Sequence, residues 1–196
     1  MTLRRRVLIA SGAALGFIVI GFILVLIQFS SVSGAQGRID NLLTPATQIT
    51  DTLILAQTSA SGDLSDYILP GSDEALASYQ SSISSTGSLE SALIELFGEA
   101  EPALIALVES SSAAQRAWVS TDAQPALDAM ADGNTAKAAR ITNKKKAWNS
   151  YDAMIAATNA LKAELEVQRA SGVDSVSGSA RTLGILLIFG GLVLLA

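Results

Sequence analysis

The sequence of 196 residues contains no cysteine and no histidine. Without cysteine there is no disulfide framework and no thiolate nucleophile. Without histidine there is no imidazole base, few routes to a zinc or haem site, and no phosphoacceptor histidine of a kinase. Aromatic residues make up only 5% of the chain. It carries neither a phosphate-binding glycine loop nor a nucleophile elbow. The carboxylates are scattered along helical faces. No catalytic site, metal site or cofactor is expected within this chain.

What remains is apolar and helical in character. Nearly half of the residues are hydrophobic, and Ala, Ser, Leu, Glu and Lys dominate the middle, which suits long helices. Val7 to Phe29 is an uncharged apolar run of about 23 residues, long enough to cross a hydrocarbon core of roughly 30 Å as a helix. The competing reading is a signal peptide cleaved near Ser33-Gly34-Ala35, but its apolar region should be only about 7–15 residues long. Leu183 to Ala196 is a second uncharged run that stops short of a full span. A second membrane helix is therefore expected to continue beyond Ala196, with any output domain after it. Arg4, Arg5 and Arg6 place the first end in the cytoplasm by the positive-inside rule. The expected division is a cytoplasmic end (residues 1–6), a first transmembrane helix (7–29), an extracytoplasmic region (30–181) and a truncated second transmembrane helix (182–196). Residues 30–181 hold all eighteen acidic side chains against ten basic ones, a net charge of −8. Such a surface argues against nucleic acid and against docking on anionic lipid.

Between the membrane runs the apolar spacing steps by three and four. Ile39, Leu42, Ala46, Ile49, Leu53, Ala56, Ala60 and Tyr67 form a heptad-type stripe. Pro45 interrupts it and predicts a kink, which is either a signalling hinge or an accommodated bend. Pro70-Gly71 ends this stretch, and Ser72 or Asp73 caps a second one carrying Leu76, Tyr79, Ile83, Thr86, Leu93 and Phe97. Its Ser-rich middle has low intrinsic propensity, so packing must hold it. A reversal at 98–102 leads to a third stretch with Leu104, Leu107, Val108, Ala114, Trp118 and Thr121. Pro125 predicts a kink or a restart capped by Thr121 or Asp122. Asp132-Gly133-Asn134 is a turn, and a last helix runs from about Thr135 through Tyr151, Met154, Thr158, Leu161 and Leu165.

Four helices with short links predict an all-α, antiparallel up-down-up-down four-helix bundle whose outer helices continue into the two membrane helices. Counting from the distal turns puts the bundle floor near Leu42 and Lys162, with a two-helix stalk below. The same count sets Trp118 and Trp148 at one height as an aromatic core layer facing Ala56 and Thr86; the alternative is that they wall a small-molecule pocket. Asp63, Asp66 and Arg140 fall at similar levels near the tip, as a ligand or register contact or as a solvated helix end. Arg116 and Asp152 lie within about a turn of each other as an interhelical pair or ligand contact. Lys144-Lys145-Lys146 reads as a solvated face.

The corner Asp66-Tyr67-Ile68-Leu69-Pro70-Gly71-Ser72-Asp73, followed by Leu76 and Tyr79, resembles the third class of CHASE extracellular sensor domains. Tyr67, Leu69 and Gly71 match that family's corner motif, Ser65-Asp66 replaces its arginine and glycine, and Pro70 replaces its threonine. Ala131-Asp132-Gly133-Asn134 and the patch Trp148-Asn149-Ser150-Tyr151-Asp152 add a second similarity, and the resemblance covers roughly residues 35–175. It implies the input region of a bacterial transmembrane receptor, most often a sensor histidine kinase and next a chemoreceptor. A homodimer through stalk and membrane helices and an unidentified small-molecule or protein stimulus go with that reading. The alternative is a membrane-anchored helical bundle that binds a partner and has no output.

Overall fold

A computed structural model describes residues 23, 25–27, 29–30, 32–69, 71–143 and 145–195. The expected span at 7–29 lies largely outside the described residues, as does Pro70. The described residues are helical with no strand, and among them no helix is long and apolar enough to cross a membrane. The elements in order are a π-helical turn, π1 (Ile39–Leu43), α1 (Thr44–Ile68), α2 (Asp73–Phe97), a 3-10 turn (Gly98–Ala100), α3 (Pro102–Trp118), a second π-helical turn, π2 (Val119–Ala123), α4 (Gln124–Ala131), α5 (Thr135–Thr142) and α6 (Lys145–Leu195). The chain divides into two compact units, residues 42–167 and residues 1–41 with 168–196.

The turns follow from local chemistry. Gly71, Gly98 and Gly133 take φ of 72°, 54° and 73°, the left-handed region where a Cβ is costly. The Ser72 side chain accepts from the Ala75 N–H at 3.3 Å and caps α2 as expected. After α4, Gly133 N–H bonds the Met130 carbonyl and Asn134 N–H bonds that of Ala129. This paired closure satisfies the last carbonyls of the helix. Asn134 then caps α5 by accepting from Lys137 N–H.

Both interior prolines sit just past a π-helical turn. Pro45 follows π1 and Pro125 follows π2, each in the first turn of the next α-helix. A proline ring crowds the carbonyl four residues earlier and removes a donor. A widened turn at that point accommodates the ring without ending the helix. The expected cap of a restart at Thr121 or Asp122 is not formed, because the helix continues through π2 with no side-chain cap.

In residues 42–167 the core is built from faces of α1, α2, α3, π2, α4, α5 and the first part of α6. The α1 stripe is Ala46, Thr50, Leu53, Gln57, Ala60, Leu64 and Ile68. It keeps the expected alternation but departs from the expected positions. Ile49, Ala56 and Tyr67 are only half-buried, because Thr50 and Gln57 occupy the inner face. The Ser-rich α2 holds its helix in part by turning hydroxyls onto its own backbone, as Ser88 does to the Ser84 carbonyl and Ser91 to that of Gly87. Tyr79, Thr86, Glu90, Leu93 and Phe97 form its buried face.

The last expected helix is two helices, α5 and α6, broken at Asn143. The break uses chain without gaining a full turn of height, so residues beyond it sit farther from the tip in sequence than a continuous count gives. Lys162 pairs with Asp51 at 2.6 Å, well above the expected floor at Leu42. In the unit of residues 1–41 and 168–196, Arg38 Nη2 donates to Gln168 Oε1 at 2.6 Å. In that unit a Cβ added at Gly172 would come within 3.0 Å of the Ile39 side chain.

Candidate functional site

Two groups of side chains stand out in residues 42–167. The first is a buried polar layer. Gln57 Nε2 of α1 donates to Gln115 Oε1 of α3 at 3.2 Å, and Gln115 Nε2 donates to Thr86 Oγ1 of α2. Thr158 Oγ1 of α6 is 2.9 Å from Gln57 Oε1 and 2.7 Å from Ser111 Oγ of α3. Thr86 in turn donates to the Ile83 carbonyl at 2.7 Å. Gln57, Thr86, Ser111 and Thr158 are at most 1% exposed. Four helices are thus tied at one level by side chains whose polar groups find partners in the protein interior, as burial requires.

One turn along α2 from this layer lies a group that is not satisfied. Glu90 is buried, and its Oε1 has no hydrogen-bond partner. Burial pushes its carboxyl above the usual glutamate range, an effect the Ser112 hydroxyl and the Arg116 charge offset only in part. Because the folded-state pKa is raised, the stability this group contributes is fully present at low pH. It is lost as pH rises from the ordinary glutamate range through the raised value. Glu90→Gln should therefore stabilise the protein at pH 7, by no more than the roughly 1–3 kcal/mol that one buried unsatisfied polar group costs. It should also flatten the rise in Tm on acidification that the raised pKa of Glu90 predicts for the unaltered protein. Thermal melts of both proteins from pH 5 to 8 check this, and an unchanged pH slope in Glu90→Gln would refute it.

The second group is a cleft of about 40 Å³ near the distal turns, lined by Trp118, Trp148, Tyr151, Asp122, Ser65 and Thr142 among others. Trp118 is 3% exposed and meets Tyr79 and Tyr151 edge-to-face, with ring centroids 6.5 Å and 6.4 Å away. Trp148 is 57% exposed. The expected Trp118–Trp148 core layer is thereby corrected. Tyr151, three residues beyond Trp148, is the residue that meets Trp118, because the break at Asn143 displaces the count. Asp122 is 6% exposed and accepts from Thr121 Oγ1 at 2.8 Å and from Ser150 Oγ.

The other expected contacts distribute differently. Asp63 is half-buried and accepts from Ser78 and Ser82 of α2 at 2.9 Å and 3.3 Å. It joins two helices without Arg140, whose Nε bonds the Ala136 carbonyl of its own helix. Asp66 is exposed and Tyr67 half-buried. Arg116 donates to Ser112 Oγ at 2.6 Å, and among the described residues no ion pair joins it to the exposed Asp152. Gln57, Gln115, Glu90 and Asp122 had no place among the expected site residues. The signal for them was the heptad phase itself, which passes through polar residues at these positions. Among the described residues no three acidic side chains gather to hold a metal ion. Comparison with models of protein families, with characterised proteins and with solved structures gives no match.

Proposed function

We propose that the chain is the extracytoplasmic input region of a bacterial transmembrane signalling receptor, a sensor histidine kinase before a chemoreceptor. In this reading residues 42–167 form an antiparallel four-helix bundle, and residues 7–29 and 182–196 belong to two membrane helices. The acidic region at 30–181 faces outward, and two copies pair through the stalk. The observation that carries the reading is the buried polar layer. Purely apolar side chains tolerate small slides between helices, whereas a ring of hydrogen bonds re-pairs only in discrete steps. Such a core favours distinct helix arrangements, which is what a relay by small helix shifts requires. A stimulus acts on it only through different affinities for those arrangements. The π-helical turns beside Pro45 and Pro125 supply places where the backbone already departs from regular spacing.

The test joins residues 1–196 to the cytoplasmic part of a histidine kinase and uses the absence of native cysteine. Arg38→Cys with Gln168→Cys gives one disulfide between the two arms. Autophosphorylation should differ several-fold between the oxidised and reduced forms in membranes. Ser85→Cys, on an exposed position of α2, should react with a membrane-impermeant maleimide in intact cells. Identical kinase output in both redox states would favour the alternative, a membrane-anchored bundle that binds a partner and relays nothing. Labelling of Ser85→Cys only after lysis would overturn the outward orientation.

A further inference from the structure

We infer that the cleft between Trp118 and Trp148 is a subsite for a small ammonium group, of the kind carried by a primary amine. The charge of its described lining is one-sided. Asp122 supplies a carboxylate that is almost wholly buried, and among the described residues no cationic side chain pairs with it. The hydroxyl protons of Ser65, Thr142 and Ser150 are already committed. Ser65 donates to the Ser61 carbonyl at 3.0 Å, Thr142 to the carbonyls of Ala138 and Ala139 at 3.4 Å and 3.3 Å, and Ser150 to Asp122. A hydroxyl whose proton is spent keeps only its lone pairs. These oxygens and the Asp122 carboxylate offer acceptors, and an ammonium group, with donors only, is their complement. The apolar lining points the same way. Two indoles and a phenol line the same cleft as the carboxylate, and aromatic faces attract a cation placed within about 6 Å of the ring centroid.

Size and field narrow the class further. Pockets for whole drug-sized ligands run to roughly 300–1,000 Å³, whereas this cleft encloses about 40 Å³. It admits a head group, with the remainder of a ligand passing out beside the exposed Trp148. An anion is repelled by Asp122. The excess of acidic side chains over residues 30–181 raises the local concentration of cations. The inference rests on the sensory reading only for what binding would accomplish, since occupation of the cleft can be measured with no output domain attached.

The chain contains two tryptophans, Trp118 and Trp148, and both line the cleft, so intrinsic fluorescence reads its occupation directly. Methylammonium chloride titrated into the full chain in detergent should give a saturable change with a millimolar Kd. Sodium chloride at equal ionic strength and methanol, the neutral isostere, should give none. Asp122→Asn should weaken binding about tenfold or more, since it removes the paired charge. Trp148→Ala, at an exposed position, should weaken it roughly three- to thirtyfold while leaving the Tm near that of the unaltered protein. The absence of a saturable change, or the same Kd in Asp122→Asn with an unchanged Tm, would overturn the inference. So would a response that appears only once Lys144, Lys145 and Lys146 are replaced by Gln, because the cleft would then serve the chain's own ammonium groups. Binding of methylammonium without any redox effect on the kinase fusion would sink the relay and leave the subsite standing.

Discussion

Trp118→Ala should cost residues 42–167 about 3–5 kcal/mol, the range for removing a large buried aromatic side chain, while Trp148→Ala should cost less than about 0.5 kcal/mol. The chain's two tryptophans are chemically identical and both border one cleft. Their surroundings differ. Trp118 is 3% exposed and packs among Ala60, Leu64 and Met154. Its edge-to-face contacts with Tyr79 and Tyr151 each add about 0.5–1.5 kcal/mol beyond the area buried. Alanine there leaves a cavity that the helix backbones cannot close. Trp148 at 57% exposure keeps more than half of its surface in water in the folded state, so its removal exposes little that was hidden. Because folded domains are stable by only about 5–15 kcal/mol in total, the first variant should show a midpoint shifted to much lower urea and the second almost none. Equal losses in the two variants would mean that Trp148 belongs to the core after all.

This contrast marks where sequence reading succeeded and where it stopped. The reversals were legible because their stereochemistry is local: a glycine with positive φ at 71, 98 and 133 and a Ser or Asn cap behind two of them need no knowledge of the rest of the chain. The prolines were legible as disturbances, and the π-helical turns are the form those disturbances take. The phase of the stripes was legible only in part. A Gln in a helical stretch is scored as surface, so Gln57 and Gln115 pointed the inner face of α1 and α3 toward their apolar neighbours Ala56 and Ala114. Only partners on other helices make burial of an amide affordable, and those partners lie 58 and 101 residues away along the chain. Heights beyond Asn143 failed for a related reason. Nothing in Thr142-Asn143-Lys144 is a strong breaker, yet α5 ends there, and every level inferred past that point moved with it. Trp148 and Lys162 were misplaced through this one turn, whereas the cleft lined by both tryptophans matches the alternative reading of them as pocket walls.

The polar layer sets the second large effect. Gln115→Leu should destabilise the protein by about 2–4 kcal/mol, because it leaves the buried Gln57 Nε2 without an acceptor and removes the donor to Thr86. Gln57→Leu should cost a similar amount through the stranded Gln115 Oε1. The double variant should be far less damaged than the sum. Thr158 can still donate to the Met154 carbonyl at 3.2 Å and Thr86 to that of Ile83, so no buried donor is left unpaired. Replacing both partners by apolar groups of similar shape is close to neutral. A double-mutant cycle in urea should therefore give a coupling of at least about 1 kcal/mol. Strict additivity would show that the amides do not act as a pair. The double variant also separates stability from specificity. If the layer serves to fix which helix levels face each other, an all-apolar version stays folded but loses the single arrangement. The Lys162–Asp51 pairing provides the reporter. Cysteines at 51 and 162 should form one disulfide cleanly in the parent protein. In the double variant cysteine at 162 should also cross-link to positions one turn away, such as Leu55. A single cross-link in both backgrounds would assign the layer to stability alone and remove the basis for discrete helix steps.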